Sequence, residues 1–341
     1  MAIDPTRASR ATLADVAADA GVSVPTVSKV LNNRPDVGEP ARRRVEASIT
    51  RTGYLRRAAA KKRPRAGLID VVVHGMNSPW VIEVLAGAEE AAHRAGVGMV
   101  VTAARDDLSG AWVKALARRR SDGVVLVISD ISKETLSQLR TRHVPVVVVD
   151  RTGNSDPGLA SVGATNWVGA LSATEHLLSL GHRRIGIVSG HPRLACSAER
   201  IDGYHAALRR AGLPIDPELV LHGDFYPEGG RAGAHRLLDL AEPPTAIFAG
   251  SDLQALGVYE AAGQRGLRVP DDLSVVGFDD LMIARYVTPP LTTIRQPHRE
   301  MAAEAVRMVL ALSHGDEVVP PQRIELATSL VVRASTRAYA G

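Results

Sequence analysis

From Leu68 onward, short apolar runs alternate with stretches of helical period, and this alternation constrains the fold more than any other feature of the chain. The runs are Leu68–Val73, Gly98–Ala103, Gly123–Ile128, Val144–Val149, Arg184–Ser189, Ala246–Ala249 and Leu273–Phe278. Helical spacing fills the gaps, for example over Trp80–Ala95 and Glu199–Ala211. A strand that is apolar along its whole length is buried on both faces, which happens where helices cover both sides of a parallel sheet. Strands separated by a helix's worth of residues point to the same arrangement. The pattern therefore predicts a parallel α/β fold. It is too long for one compact sheet, and a break near Thr165–Gly169 marks two similar lobes.

The N-terminal residues have a different texture. Thr12 can cap a helix, with Asp15 three residues on, the spacing at which each side chain satisfies the other's backbone N–H. Val16, Ala17 and Ala20 recur at helical spacing, and Gly21 breaks the helix. Ser23 can cap a second helix, in whose first turn Pro25 is tolerated because an N–H there would be unpaired. Val27, Val30 and Leu31 face the first helix, while Ser23, Thr26, Ser28, Lys29 and Asn32 stay outside. Short hydroxyl, amide and cationic groups contact phosphates and base edges in a major groove. Residues 12–33 therefore predict a helix-turn-helix that reads DNA. A third helix is expected from Glu39 to about Thr52, with Ala41, Val45 and Ile49 inward and Gly53 as its stop.

Charge separates the same two regions. Residues 1–66 hold 14 Lys and Arg against 6 Asp and Glu, and the rest of the chain holds 27 against 31. A basic head on a mildly acidic body suits a nucleic-acid module joined to a regulatory one. Cys196 is the one cysteine, which excludes disulfide frameworks and Cys-based zinc sites. No apolar run follows the first basic residues, and the longest apolar stretches, such as Val144–Val149, are of strand length. Neither a signal peptide nor a membrane span is expected, and the expected location is cytoplasmic.

In open α/β sheets ligands bind beyond the carboxyl ends of the strands, so the residues just after each strand are the binding candidates. They are Asn77, Ser78 and Trp80 after the first strand, and Asp150 and Arg151 after the Val144–Val149 run. The second lobe offers Arg200, Phe225, Ser251, Asp252, Asp279 and Asp280. Carboxylates and an arginine fork bind hydroxyls, and a ring covers the C–H face of a sugar. Asp252 reads equally as a cap of the helix at Leu253, Asp280 as a turn residue and Trp80 as core. Catalytic signatures are missing: there is no Gly-x-x-x-x-Gly-Lys-Ser/Thr loop, no His-Glu-x-x-His and no Gly-x-Ser-x-Gly. His182 and Cys196 read as packing residues. No enzyme, cofactor or metal is expected.

Taken in order, several segments resemble the lac-repressor/galactose-repressor family. They are Thr12-Leu-Ala-Asp-Val-Ala with Gly21-Val-Ser and Thr26-Val-Ser-Lys-Val-Leu-Asn, then Arg43 to Gly53-Tyr54. In the body they are His176-Leu-Leu-Ser-Leu-Gly-His-Arg-Arg-Ile, Arg200-Ile-Asp-Gly-Tyr, Ser251-Asp-Leu-Gln-Ala-Leu-Gly, Val276-Gly-Phe-Asp-Asp and Pro290-Leu-Thr-Thr-Ile-Arg-Gln. The resemblance implies an α/β chain with an N-terminal helix-turn-helix domain and a periplasmic-binding-protein-like core of two Rossmann-like lobes, linked by three crossovers. It divides the chain into a disordered arm over 1–11, the DNA-binding domain over 12–54, a basic hinge over 55–66 and an effector-binding core over 67–341. The first lobe would take about 67–166 and 297–325, and the second about 167–296 and 326–337.

Carried over by motif, Val24, Pro25 and Lys29 fall at base-reading positions, and Ser23, Thr26, Ser28 and Asn32 at supporting ones. Asp150, Arg200, Phe225, Ser251, Asp279 and Gln296 fall at effector positions beside Trp80. Three departures stand out. Ser251 replaces a common asparagine, Val81 replaces an aromatic, and the hinge has Arg63 about where the family places a groove-wedging leucine. Arg56, Arg57 and Arg63 would instead line a narrow minor groove electrostatically. No heptad tail follows Leu330-Val-Val-Arg-Ala-Ser-Thr, so a homodimer is expected rather than a tetramer. The implied partners are a palindromic operator duplex and a small effector, a mono- or disaccharide or, as its rival, a purine. A sugar-transport protein and a cytosolic sugar enzyme are the competing classes, disfavoured by the basic head and by the missing catalytic motifs.

Overall fold

The computed structural model describes residues 12–31, 34, 37–52, 66–104, 111–127, 131–150, 158–315 and 322–339. The arm over 1–11, Asn32, Arg151 and the hinge residues Arg56, Arg57 and Arg63 lie outside them. The chain divides into two compact units, residues 1–63 and 64–341.

In the first unit, α1 (Leu13–Ala20), α2 (Val24–Leu31) and α3 (Glu39–Thr52) form a three-helix head. Thr12 Oγ1 accepts from the Asp15 N–H, and the Thr12 N–H donates to Asp15 Oδ2 at 2.7 Å, so the capping box is closed. Gly21 ends α1 with φ +62°, a left-handed conformation that costs glycine nothing. Ser23 Oγ accepts from the Thr26 N–H at the start of α2. Val16, Ala17, Ala20, Val27, Val30 and Val45 close the core. Ser48 is also fully buried and donates to the Val16 carbonyl at 3.1 Å, tying α3 to α1.

The second unit contains two parallel sheets. β1 (Leu68–Val73), α4 (Pro79–Arg94), β2 (Gly98–Ala103), α5 (Ala111–Arg119), β3 (Gly123–Val127), α6 (Lys133–Thr141), β4 (Val146–Val149) and β5 (Ala160–Ala164) build the first lobe. The chain then crosses into α7 (Asn166–Ser179), β6 (Ile185–Ser189), α8 (Ala195–Arg210), β7 (Val220–His222), α9 (Pro227–Leu238), β8 (Ala246–Ala249), α10 (Asp252–Gln264), β9 (Ser274–Asp279), α11 (Ile283–Tyr286) and β10 (Thr292–Arg295). It returns for α12 (His298–His314) and β11 (Arg323–Leu326), and crosses a third time to β12 (Ser329–Val331). The sheet orders are β11-β5-β4-β3-β1-β2 and β12-β10-β9-β8-β6-β7. Every pairing is parallel except β10 with β12.

Two lobe assignments are corrected at the crossovers. Leu326 pairs with Ala164 in the first sheet rather than opening the second lobe. Asn166 begins α7, which packs on α8 in the second lobe. Helix ends also shift: α4 starts at Pro79 and stops at Arg94, and α8 starts four residues before Glu199. Five strands that carry no long apolar run, β5, β7, β10, β11 and β12, complete the sheets. Each lobe has its own core, centred on Ile69, Val125, Val147 and Met301 in one and on Ile187, Phe248, Val276 and Phe278 in the other.

Candidate functional site

On α2, Val27 and Val30 are buried while Ser23, Val24, Pro25 and Lys29 are exposed and Thr26 and Ser28 half-buried. The exposed set contains one cation, one hydroxyl and two apolar groups. That is the chemistry of base-edge and phosphate contact in a major groove.

The second unit carries a cleft of about 240 Å³ at the carboxyl ends of both sheets. Trp80, at the start of α4, and Asp150, just after β4, come from the first lobe. Arg200 on α8, Phe225 after β7, Ser251 after β8, Asp279 at the end of β9 and Gln296 after β10 come from the second lobe and its crossover. All seven effector candidates therefore line one cavity. A hollow of similar volume, about 250 Å³, lies between α6 and α12, walled by Leu136, Val144, Met308 and Leu312. Its lining has neither a carboxylate nor an aromatic ring, and its polar groups are Arg140, Arg307 and Gln322.

The backbone is strained around the cleft. Asp150, Phe225 and Asp279 have φ of +59°, +68° and +124°, and Asp280 has +57°. Non-glycine residues in this region cost energy and are held only where the surroundings dictate them, which marks functional sites. Phe225 is held by its neighbour: its ring lies where a Cβ on Gly190 would sit, 2.2 Å from the ring edge. Arg200 is 3% exposed and stacks its guanidinium on Phe278 at 3.8 Å and beside Phe225 at 5.1 Å. Its Nε donates to Asn166 Oδ1 at 3.0 Å and its Nη1 to the Gly250 carbonyl.

Burial sets the charge state of the cleft. It raises Asp150 above the usual carboxylate range, against the pull of Arg200. It raises Asp279 to about 7, opposed by Arg200 and by Gln296, whose Nε2 donates to Asp279 Oδ1. His298, packed edge-on to Trp80 at 6.1 Å, is pushed down to about 4 by burial and by Arg200, so it is neutral near pH 7. Gln296 Oε1 is buried with no hydrogen-bond partner among the described residues. An unpaired buried acceptor is costly, and in a cleft a ligand's donor relieves it.

Three ambiguous residues resolve differently. Ser251, not Asp252, caps α10, accepting from the Gln254 N–H at 3.0 Å while donating to the Phe225 carbonyl at 2.8 Å. Its hydroxyl proton is thus committed inside the protein. Asp252 is fully buried and takes the Leu281 N–H at 2.7 Å and the Thr293 hydroxyl, bracing β9 and β10 from within. Asp280 pairs with Arg295 at 2.7 Å and with Arg333. Asn77 is not in the cleft lining, whereas Ser78 and Val81 are. Tyr226, Asp224 and Leu194 line the cleft unforeseen. The aromatic pair Phe225-Tyr226 was the available signal, but β7 ahead of it spans only three residues. Cys196 also faces this cavity, and burial raises its thiol. His182 is buried and bonded to Thr245 and Ser274, as a packing residue.

Among the described residues no cluster of His, Cys, Asp and Glu could hold a metal ion, and no helix is long and apolar enough to cross a membrane. Residues 12–57 match the model of bacterial regulatory proteins of the lacI family, and residues 174–336 that of a periplasmic binding protein-like domain. The HTH-type transcriptional repressor CytR of Escherichia coli is 34% identical over 96% of this chain and 97% of its own length. The transcriptional regulator CelR in complex with cellobiose superposes with a TM-score of 0.74 at 32% identity, over 96% of this chain and all of that one. The lac repressor dimer bound to operator and the anti-inducer ONPF superposes with a TM-score of 0.72 at 29% identity, over 96% and 99% of the two chains. The chain belongs to the lacI family of bacterial regulatory proteins.

Proposed function

We propose that this protein is a sequence-specific DNA-binding transcriptional repressor, a homodimer whose operator affinity is set by a mono- or disaccharide held between the lobes of its core. The head, α2 and the similarity to CytR and to the operator-bound lac repressor support the first half. Exposed Met282 and Tyr286, 70% and 73% accessible at α11, offer apolar area for a second copy. Two heads related by a two-fold axis call for two related half-sites.

The observation that carries the effector reading is the convergence of carboxyl and amide oxygens on one cleft. Asp150, Asp279 and Gln296 Oε1 face one cleft with Arg200 as their cation, and the Ser251 proton is already committed. A ligand completing this set brings many donors and little negative charge. Neutral sugar hydroxyls do this, and Trp80 and Phe225 supply rings for the C–H face. CelR, similar over nearly its whole length, holds cellobiose.

A thermal-shift screen of mono- and disaccharides beside purine bases tests the effector. A saturable rise in melting temperature with a saccharide is expected. A rise with a purine alone would move the effector to that class. The DNA half is tested on duplexes selected from a random pool. Lys29→Ala should cost about 1–3 kcal/mol at one preferred base. Equal loss on every sequence would make Lys29 a phosphate contact instead.

A further inference from the structure

One chain of polar contacts leaves the cleft and crosses between the lobes. Arg200 Nε donates to Asn166 Oδ1 at 3.0 Å. The same amide donates through Nδ2 to Glu199 Oε2 at 3.2 Å. The other oxygen of Glu199 takes Nη2 of Arg323 at 2.9 Å. Glu199 sits on α8 in the second lobe and Arg323 on β11 in the first. Asn166 follows the crossover residue Thr165, which is itself bonded to Thr328 on another crossover at 3.0 Å. Asn166 thus sits beside a crossover, with Arg200 and Glu199 bonded to it and Arg323 bonded to Glu199.

We propose that the Glu199–Arg323 ion pair is a latch across the lobes, wired through Asn166 to the cleft residue Arg200, so that occupancy of the cleft and the angle between the lobes are read by one network. Asn166 is 3% exposed and spends its amide oxygen on Arg200 and its amide N–H groups on Glu199 and the Ala164 carbonyl. It cannot rotate for one partner without releasing another. A ligand that draws Arg200 therefore acts on Glu199, and through it on the first lobe. Two sites joined by such a two-position element share a coupling free energy that runs both ways. The proposal rests on the reading of the cleft as the effector site, but the latch itself can be tested without any effector.

Cys196 provides the probe, because it is the chain's one cysteine and lies buried in the cleft lining. Labelling of the full chain by a small aromatic disulfide reports opening of the lobes. Glu199→Gln and Arg323→Gln each remove the latch. Because Arg323 is 54% exposed at its side chain, the expected acceleration is modest, about two- to fivefold for each variant. The double variant should label no faster than either single one, since both remove the same bond. The pair of variants separates opening from thiol acidity. Removing the Glu199 charge favours the thiolate, whereas stripping Glu199 of Arg323 disfavours it, so acidity alone would drive the two rates in opposite directions. Opposite shifts, unchanged rates or multiplying effects in the double variant would overturn the latch. Absence of any saccharide shift in the wild-type screen would instead overturn the effector reading and leave the labelling result standing.

Discussion

The head and the cleft are built over different ranges of the chain. In the head, the caps and the turn join neighbours: Thr12 with Asp15, Ser23 with Thr26, Gly21 with the helix it ends, while Ser48 on α3 makes the longer tie to Val16. In the cleft, Trp80, Asp150, Arg200, Asp279 and Gln296 meet because two sheets place their carboxyl ends together. The head's charged groups are mostly exposed, so pairs such as Arg51 with Asp19 each contribute little. The cleft's charged groups are buried and shift one another's ionisation. A local design gives separable small effects, and a buried non-local one gives large coupled effects.

The sharpest way to break this contrast is Arg200→Ala. It leaves Asp150 and Asp279 without their buried counter-charge and strands Asn166. Removing one partner of a buried charge set typically costs about 3–5 kcal/mol. Calorimetry of the full chain should show that loss in the core transition, with saccharide binding abolished. A loss below about 1 kcal/mol would place the cleft in the same class as an exposed site.

A middle-sized effect is expected from pH. Asp279 titrates near about 7 in the folded protein, above its unfolded value of about 3.9. The folded state therefore holds the extra proton between those values. Stability falls as pH rises from about 4 to about 7 and levels off above it. Asp279→Asn keeps an oxygen for Gln296 and removes the titration, so the melting temperature should lose part of its slope. The difference between pH 5 and 7 should shrink by about 2 kcal/mol. An unchanged slope would assign the titration to Asp150 or Asp252, whose carboxyls burial also raises.

The smallest effect tests the head. Thr12→Ala opens the capping box and should cost about 1 kcal/mol, read as lost helicity in a melt of the full chain. The core transition should stay in place. A shift of both transitions together would show that the two units do not unfold independently.

Much of this fold is legible in the residues alone. Apolar runs such as Leu68–Val73 and Ala246–Ala249 became strands at their expected bounds, because burial on both faces leaves no room for alternation. The strands that escaped reading include partly buried edge strands, β7, β11 and β12, and strands whose burial is arranged by distant partners. β10 reads Thr-Thr-Ile-Arg, yet Thr292 and Thr293 are fully buried. The Thr293 hydroxyl is satisfied by Asp252 and the Thr292 N–H by Ser335. Nothing near these threonines in the chain announces that.

The same division runs through the site. Position after a strand selected Asp150 and Asp279, the opening of an expected helix selected Arg200, and motif resemblance selected Phe225, since parallel sheets put loops and helix starts at one rim. The chain order could not rank Ser251, Asp252 and Asp280, three polar residues at strand ends. Tertiary structure gave the first to a cap, the second to the brace between β9 and β10, and the third to Arg295 and Arg333. Local sequence thus determined the caps, the strands and the rim, because those follow from hydrogen bonds and burial among neighbours. Which carboxylate faces the cleft and which is consumed inside, and that Glu199 meets Arg323 across the lobes, was decided by the packing of two sheets. A buried polar group takes whatever partner the fold brings within hydrogen-bond reach, and that partner comes from anywhere in the chain.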